Sequence, residues 1–265
     1  MSARTLVFVH AHPDDEALLT AGTMAKAAQE GHRVILIVAT DGEAGLAAST
    51  LTADLGELRR EELALSADAL GVSRTVLLGY PDSGLHGENP DGLCHHGRFQ
   101  VGRRIAEICD EESADILVGY DAAGGYGHPD HVQVHRAVRS AHALTARPTR
   151  LFEATLPREP IARATRWAAH SGLTPTEFDP ATFTEAWTPA QEITHRVNVR
   201  PQLSAKVAAL RAHASQATAD GTTRTLAVLT RLPGPVRTLL LGTEYYVSVD
   251  PSSSARTSSR SDDES

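Results

Sequence analysis

The chain has 265 residues, 41% of them hydrophobic, enough to bury one core. Its formal net charge is −8 with no concentrated basic stretch, which argues against a nucleic-acid partner. Two cysteines make no disulfide framework, and no run approaches the roughly 18 apolar residues of a membrane span, so a soluble cytoplasmic protein with no membrane partner is expected.

In chain order, Leu6–Val9 reads as a buried strand that ends in HAHPDDE, His10 to Glu16. The polar residues after Val9 come too early for a signal peptide. Glu16–Glu30, rich in Ala and Leu, reads as a helix that Gly31 stops. Val34–Ala39 is a second buried strand, followed by TDGEAG, Thr40–Gly45. Leu55–Leu70 is a helix with Gly71 at its C-cap. Thr75–Tyr80 is a third strand, followed by PDSGL and by a polar, Gly-containing loop, Ser83–Gly97, read as a lid rather than a metal cluster built on Cys94, His95 and His96. After a helix over Phe99–Glu111, Ala114–Tyr120 is a fourth strand, and DAAGGYGHPDH, Asp121–His131, leads into a helix over Pro129–Leu144. Arg150–Thr155 is a fifth strand.

Pro157–Val197 carries less pattern, with a helix near Glu159–His170. Leu203–His213 is a helix and Glu244–Val249 a late strand. The Ser-rich tail from Pro251 has no apolar content and is expected to be disordered, leaving residues 1–250 as a single domain. Apolar strands separated by helices predict an α/β fold, a doubly wound and mostly parallel sheet with helices on both faces and a smaller C-terminal extension. Such sheets bind ligands beyond the C-terminal ends of their strands, where four polar loops of this chain converge.

Two of those loops carry matching clusters. His12 and Asp15 are three residues apart, as are His128 and His131. Either cluster alone is ordinary turn chemistry. Together, ligands of types His, Asp and His match an open zinc site with a position left for water, and a carboxylate off the metal, such as Asp14, can take the water's proton. Ferrous iron also suits a donor set of this kind. TDGEAG lacks the spacing and Lys of a P-loop, and no G-x-G-x-x-G follows the first strand. Glu16, at a helix start, reads as compensating the helix dipole, and Asp130 as a cap or a partner of a ligand. His10 reads as a supporting or packed polar residue.

AHPDDE near the N-terminus with GHPDH in mid-chain closely resembles the PIG-L/LmbE-like family of zinc-dependent N-deacetylases, and TDGEAG, RREEL, YPDSGL and KVAALRAHASQ are similar to segments of that family. The resemblance implies removal of acetyl from an N-acetylglucosamine-type sugar in a small conjugate. It implies zinc held by His12, Asp15 and His131, with Asp14 as general base. It implies that His128 stabilises the oxyanion and can protonate the leaving amine, that Tyr126 helps polarise the carbonyl, and that Arg59 and Asp82 contact the sugar. His213 lies where relatives carry the same residue. Two other readings keep the same site: an amidase that cleaves a larger acyl group, whose representatives carry a lysine near the position of Leu19, and a catalytically silent sugar-binding protein. The partner is in each case a small amino-sugar conjugate, and a homo-oligomer is compatible with all three.

Overall fold

The computed structural model describes residues 2–42, 55–170, 184–217 and 229–249. Within them one sheet is formed by β1 (Thr5–His10), β2 (Arg33–Thr40), β3 (Arg74–Tyr80), β4 (Ile116–Tyr120), β5 (Arg150–Thr155), β6 (His195–Asn198) and β7 (Thr243–Val249). Its strand order is β3-β2-β1-β4-β5-β7-β6. The first five pair in parallel, and β7 runs antiparallel to both β5 and β6. The helices are α1 (Asp15–Leu19), α2 (Ala21–Gln29), α3 (Leu55–Leu70), α4 (Arg98–Glu111), α5 (Pro129–Leu144), α6 (Arg158–His170), α7 (Leu203–Ala212), α8 (Ala214–Ala217) and α9 (Gly234–Leu241).

Strand side chains alternate between two cores. Val7 and Val9 of β1 pack with Ile35, Ile37 and Leu117 beneath α4 and α5. Leu6 and Phe8 pack with Val34, Leu36 and Val38 against Met24, Leu63 and Leu210 of α2, α3 and α7. Each such buried side chain contributes about 1.5–3 kcal/mol, which is why the apolar strands override weak local preferences. From β1 the chain winds one way to β2 and β3, and later the other way to β4 and β5. That reversal opens a crevice at the C-terminal ends of β1 and β4, the two strands whose loops carry the His/Asp clusters.

Several elements differ from the sequence reading. The helix expected over Glu16–Glu30 is broken at Thr20, whose φ and ψ are −132° and 0°. Thr20 Oγ1 is engaged by His10 Nε2 at 2.8 Å, and the N–H groups of Gly22 and Thr23 are given to Glu244. β3 is an edge strand of alternating burial, with Leu77 38% exposed, so its apolar run does not mark a strand covered on both sides. The short β6 carries no apolar pattern because it lies at the other edge, held by β7. The structure also adds α9, which the sequence reading did not anticipate. Residues 43–54, including part of TDGEAG, and the Ser-rich tail lie outside the described residues. No helix among the described residues is long and apolar enough to cross a membrane.

A buried ion pair joins two C-terminal elements, α7 and β7, and its carboxylate ties them to α2. Lys206 Nζ of α7 lies 2.5 Å from Glu244 Oε1 of β7, and both side chains are 2% exposed. Glu244 also accepts the N–H groups of Gly22 and Thr23, the Thr23 hydroxyl and the Tyr246 hydroxyl. Lys206→Ala leaves a buried carboxylate without its counter-charge, which typically costs ~3–5 kcal/mol, here toward the lower end because four other donors remain. A lowered urea midpoint with an unchanged m-value is the expected result.

Candidate active site

β1 ends at His10 and the chain turns through Ala11, His12, Pro13 and Asp14 into α1. Asp14 occupies the N-cap position with φ 111° and ψ −28°, a left-handed conformation rare for a residue with a side chain. Its carboxylate makes no cap hydrogen bond. Its charged neighbour is Arg59 of α3, whose Nη2 is 3.6 Å from Asp14 Oδ2. Burial pushes the Asp14 carboxyl up to about 6 against the pull of Arg59.

Beside it, Asp15 Oδ2 lies 3.4 Å from His12 Nδ1 and 3.2 Å from His131 Nε2. The same oxygen accepts the Tyr120 hydroxyl at 2.6 Å and the His12 backbone N–H at 3.0 Å. Tyr120 closes β4, and its ring stacks on His131 with centroids 4.4 Å apart and planes at 12°. One tyrosine thus orients both an acidic and an imidazole donor.

His12 is held from its other side. Its Nε2 lies 3.1 Å from Asp130 Oδ2 and 3.7 Å from Asp82 Oδ1. Asp130 in turn accepts the backbone N–H and hydroxyl of Ser83. With Nε2 facing Asp130, Nδ1 is the ring nitrogen that faces Asp15.

These donors suit a divalent cation. The donor atoms of His12, His128 and His131 lie within 4.8 Å of one another, as do those of His12, Asp82 and Asp130. His131 is 1% exposed, yet neither ring nitrogen makes a hydrogen bond of acceptable geometry. Buried polar atoms without partners are costly and call for a missing one. Burial pulls the His12 pKa down, but Asp130, Asp15 and Asp82 outweigh it and raise it to about 10, the sign of a pocket that favours a positive charge.

His128 caps α5, and its Nδ1 accepts the Asp130 backbone N–H at 3.2 Å. That tautomer leaves the proton on Nε2, as a donor. Its ring is 4.7 Å from His12 and 5.0 Å from His131, so proximity alone does not separate it from those two as a candidate cation donor. Tyr126 is 40% exposed, with its ring 5.2 Å from His131 and 6.0 Å from His128. The turn bearing it is fixed from behind. Gly125 has φ 67°, and a Cβ there would fall 2.8 Å from the Trp187 ring. Trp187 N–H also donates to Gly125 O, and Asp121 accepts Gly125 N–H and the hydroxyls of Thr155 and Thr188.

The two residues expected at the sugar are both buried. Arg59 is 3% exposed, and its guanidinium donates to Gly42 O and, at 2.8 Å, to Pro13 O. Asp82 is 5% exposed and accepts Gly84 N–H at 2.9 Å, an Asx-type turn at the edge of the His12 pocket. In the Ser83–Gly97 loop, His95 and His96 bond the backbone oxygens of Gly87 and Asp91, and neither they nor Cys94 belongs to a metal-capable cluster among the described residues.

The sequence reading underestimated Glu16. It is fully buried, its Oε2 accepts the Asp14 N–H at 2.9 Å, and its Oε1 accepts Ser66 Oγ and His213 Nε2, both at 2.6 Å. His213 follows α7 and is itself 0% exposed. Although burial opposes ionisation, His213 and Ser66 hold the Glu16 carboxyl down at about 2. The available signal was on α3, where Arg59, Glu62 and Ser66 recur at i, i+3 and i+7 and form a polar stripe on one face. His10 turns to Thr20 and packs edge-on against Tyr120, 5.5 Å away, rather than toward the donors.

A family model described as PIG-L, GlcNAc-PI de-N-acetylase, matches residues 7–142. The chain is 36% identical to the 1D-myo-inositol 2-acetamido-2-deoxy-alpha-D-glucopyranoside deacetylase of Kineococcus radiotolerans, over 82% of this chain and 70% of that protein. It is 34% identical to the enzyme of the same name from Acidothermus cellulolyticus, over 92% of this chain and 88% of that protein. Among solved structures it resembles the N,N'-diacetylchitobiose deacetylase of Pyrococcus horikoshii, with TM-score 0.64, 19% identity, and coverage of 94% of this chain and 84% of that one. It also resembles the A40926 pseudoaglycone deacetylase Dbv21, with TM-score 0.63, 19% identity, and coverage of 94% and 98%.

Proposed function

The chain belongs to the PIG-L family of GlcNAc-PI de-N-acetylase-like proteins, and on that premise we propose that it is a zinc-dependent hydrolase that removes acetyl from an N-acetylglucosaminyl conjugate, with GlcNAc-inositol as the first substrate to test. Curated relatives that act on this conjugate align over most of the chain, which favours it over the chitobiose and glycopeptide substrates of the structural neighbours. The observation that carries the reading is the Asp15 carboxylate bridging His12 and His131 while the adjacent Asp14 makes its ion-pair contact with Arg59.

His12, Asp15 and His131 would hold the metal. Bound there, a zinc ion supplies Lewis acidity, lowering the pKa of a water ligand from about 16 to near 7. Asp14 takes a proton from water as the oxygen attacks the acetamide carbon. His128 donates Nε2–H, and Tyr126 its hydroxyl, to the carbonyl oxygen as negative charge develops; a well-aimed donor of this kind contributes about 3–4 kcal/mol. The C–N bond breaks, acetate leaves, and the proton held by Asp14 passes to the amine nitrogen. Buried as it is, Arg59 contributes by holding Asp14 and the turn before it, and Asp82 lines the wall of the His12 pocket.

The test is amine release by protein of measured zinc and iron content from GlcNAc-inositol, N,N'-diacetylchitobiose and an N-acylglucosaminyl glycopeptide. Release from GlcNAc-inositol is expected to be fastest. Turnover restricted to longer acyl groups would establish the amidase reading, and sugar binding by zinc-loaded protein with no amine release would establish the silent one.

A further inference from the structure

We propose that Glu16 and His213 are positioning residues for the base, and that the segment following α7 thereby sets the orientation of the Asp14 carboxylate. The inference rests on the reading of Asp14 as base. Its observation is a single clamped peptide unit. The Pro13 carbonyl and the Asp14 N–H belong to the same peptide plane. The carbonyl accepts Arg59 Nη2 at 2.8 Å, and the N–H donates to Glu16 Oε2 at 2.9 Å. With that plane held on one side, and Asp14 O on the other accepting the Ala17 N–H at 3.1 Å in the first turn of α1, φ is kept at 111°.

That conformation costs of order 1–3 kcal/mol for a residue with a Cβ and persists only where its surroundings over-determine it. Glu16 can hold the Asp14 N–H only while its own side chain, with three rotatable bonds, is fixed. What fixes it is a pair of donors on its other oxygen, Ser66 of α3 and His213, both at 2.6 Å. His213 is fixed in turn by its turn: two residues on, Ser215 donates its N–H and its hydroxyl to the two oxygens of Glu62, each at 2.7 Å. The polar stripe of α3 thus meets the α1 turn through Arg59 and Ser66, and the C-terminal turn through Glu62. His213 lies outside the stretch that the family model matches, and it touches neither the metal donors nor the open crevice.

A reacting group displaced by about 1 Å loses on the order of 10²-fold in rate. His213→Leu keeps bulk and removes the donor; His213→Gln keeps an N–H within reach of Glu16. With GlcNAc-inositol as substrate, His213→Leu is expected to lose about 10²-fold in kcat at unchanged KM and zinc content, and His213→Gln to recover to within about 5-fold of the parent. Equal kcat in the Leu and Gln variants, or loss of zinc together with kcat, overturns the proposal. If His213→Leu does not fold, Ser66→Ala carries the same readouts, with about a 10-fold fall in kcat expected and an unchanged kcat counting against the clamp. Asp14→Ala in the same assay separates the two levels: an active Asp14→Ala sinks the base reading, whereas an inactive one beside a fully active His213→Leu sinks the clamp alone.

Discussion

Asp14→Ala is expected to lower kcat by about two orders of magnitude or more while the zinc content stays that of the parent protein. The expectation follows from where the carboxylate is and what it does not do. Asp14 lies in sequence between His12 and Asp15, the two residues proposed as metal donors, yet its ion-pair contact is with Arg59, whereas those two contact each other. It does not cap α1, although it holds the N-cap position that an aspartate ordinarily uses in that way. Its one ion-pair contact, 3.6 Å to Arg59, is loose. A half-buried carboxylate lifted to about 6 and left without a cap to make is suited to receive a proton near neutral pH. Alanine retains the Cβ and hence the backbone strain, but it leaves the buried Arg59 without its carboxylate neighbour, so stability is followed by urea denaturation and the catalytic loss is read in kcat of the folded protein. Zinc lost in proportion to rate would instead make Asp14 a ligand.

Much of this arrangement was legible in the sequence because it rests on short-range signals. Apolar strands such as Val34–Ala39 announce a covered parallel sheet, and the winding rule for such sheets sends the loops after β1 and β4 to one rim. The two HPD clusters then fall together without any tertiary information. What was not legible depends on partners distant in the chain. Glu16 looks like any acidic residue in a first helical turn until Ser66 and His213 are seen to meet it. Thr20 gives no sign of breaking a helix until His10 takes its hydroxyl. Tyr120 reads as the last apolar residue of a strand, whereas its hydroxyl reaches Asp15 and its ring supports His131. The hydrogen bonds of Arg59 to Pro13 and Gly42 come from the packing of α3, which composition does not encode.

His131→Ala is expected to abolish zinc retention and, with it, activity. The side chain is 1% exposed and stacked on Tyr120, and its Nε2 lies 3.2 Å from Asp15 Oδ2 without hydrogen-bond geometry, an arrangement that a shared cation would complete. Losing a residue that merely hydrogen-bonds a ligand typically weakens metal binding ~10–100-fold, and losing a donor itself should exceed that. The measurement need not use turnover. Zinc that binds the folded state at about 100 times its Kd stabilises by about 2.7 kcal/mol, a rise in thermal midpoint that His131→Ala should no longer show. His128→Ala is the companion variant. Its ring stands 5.0 Å from His131 and 4.7 Å from His12, but its Nδ1 is occupied by the Asp130 N–H, which leaves Nε2 protonated and able to donate, as the proposed oxyanion role requires. It should therefore keep the zinc-dependent rise and lose about 10²–10³ in kcat. The reverse pattern, zinc kept without His131 and lost without His128, would move the third donor to His128 and leave the oxyanion to Tyr126.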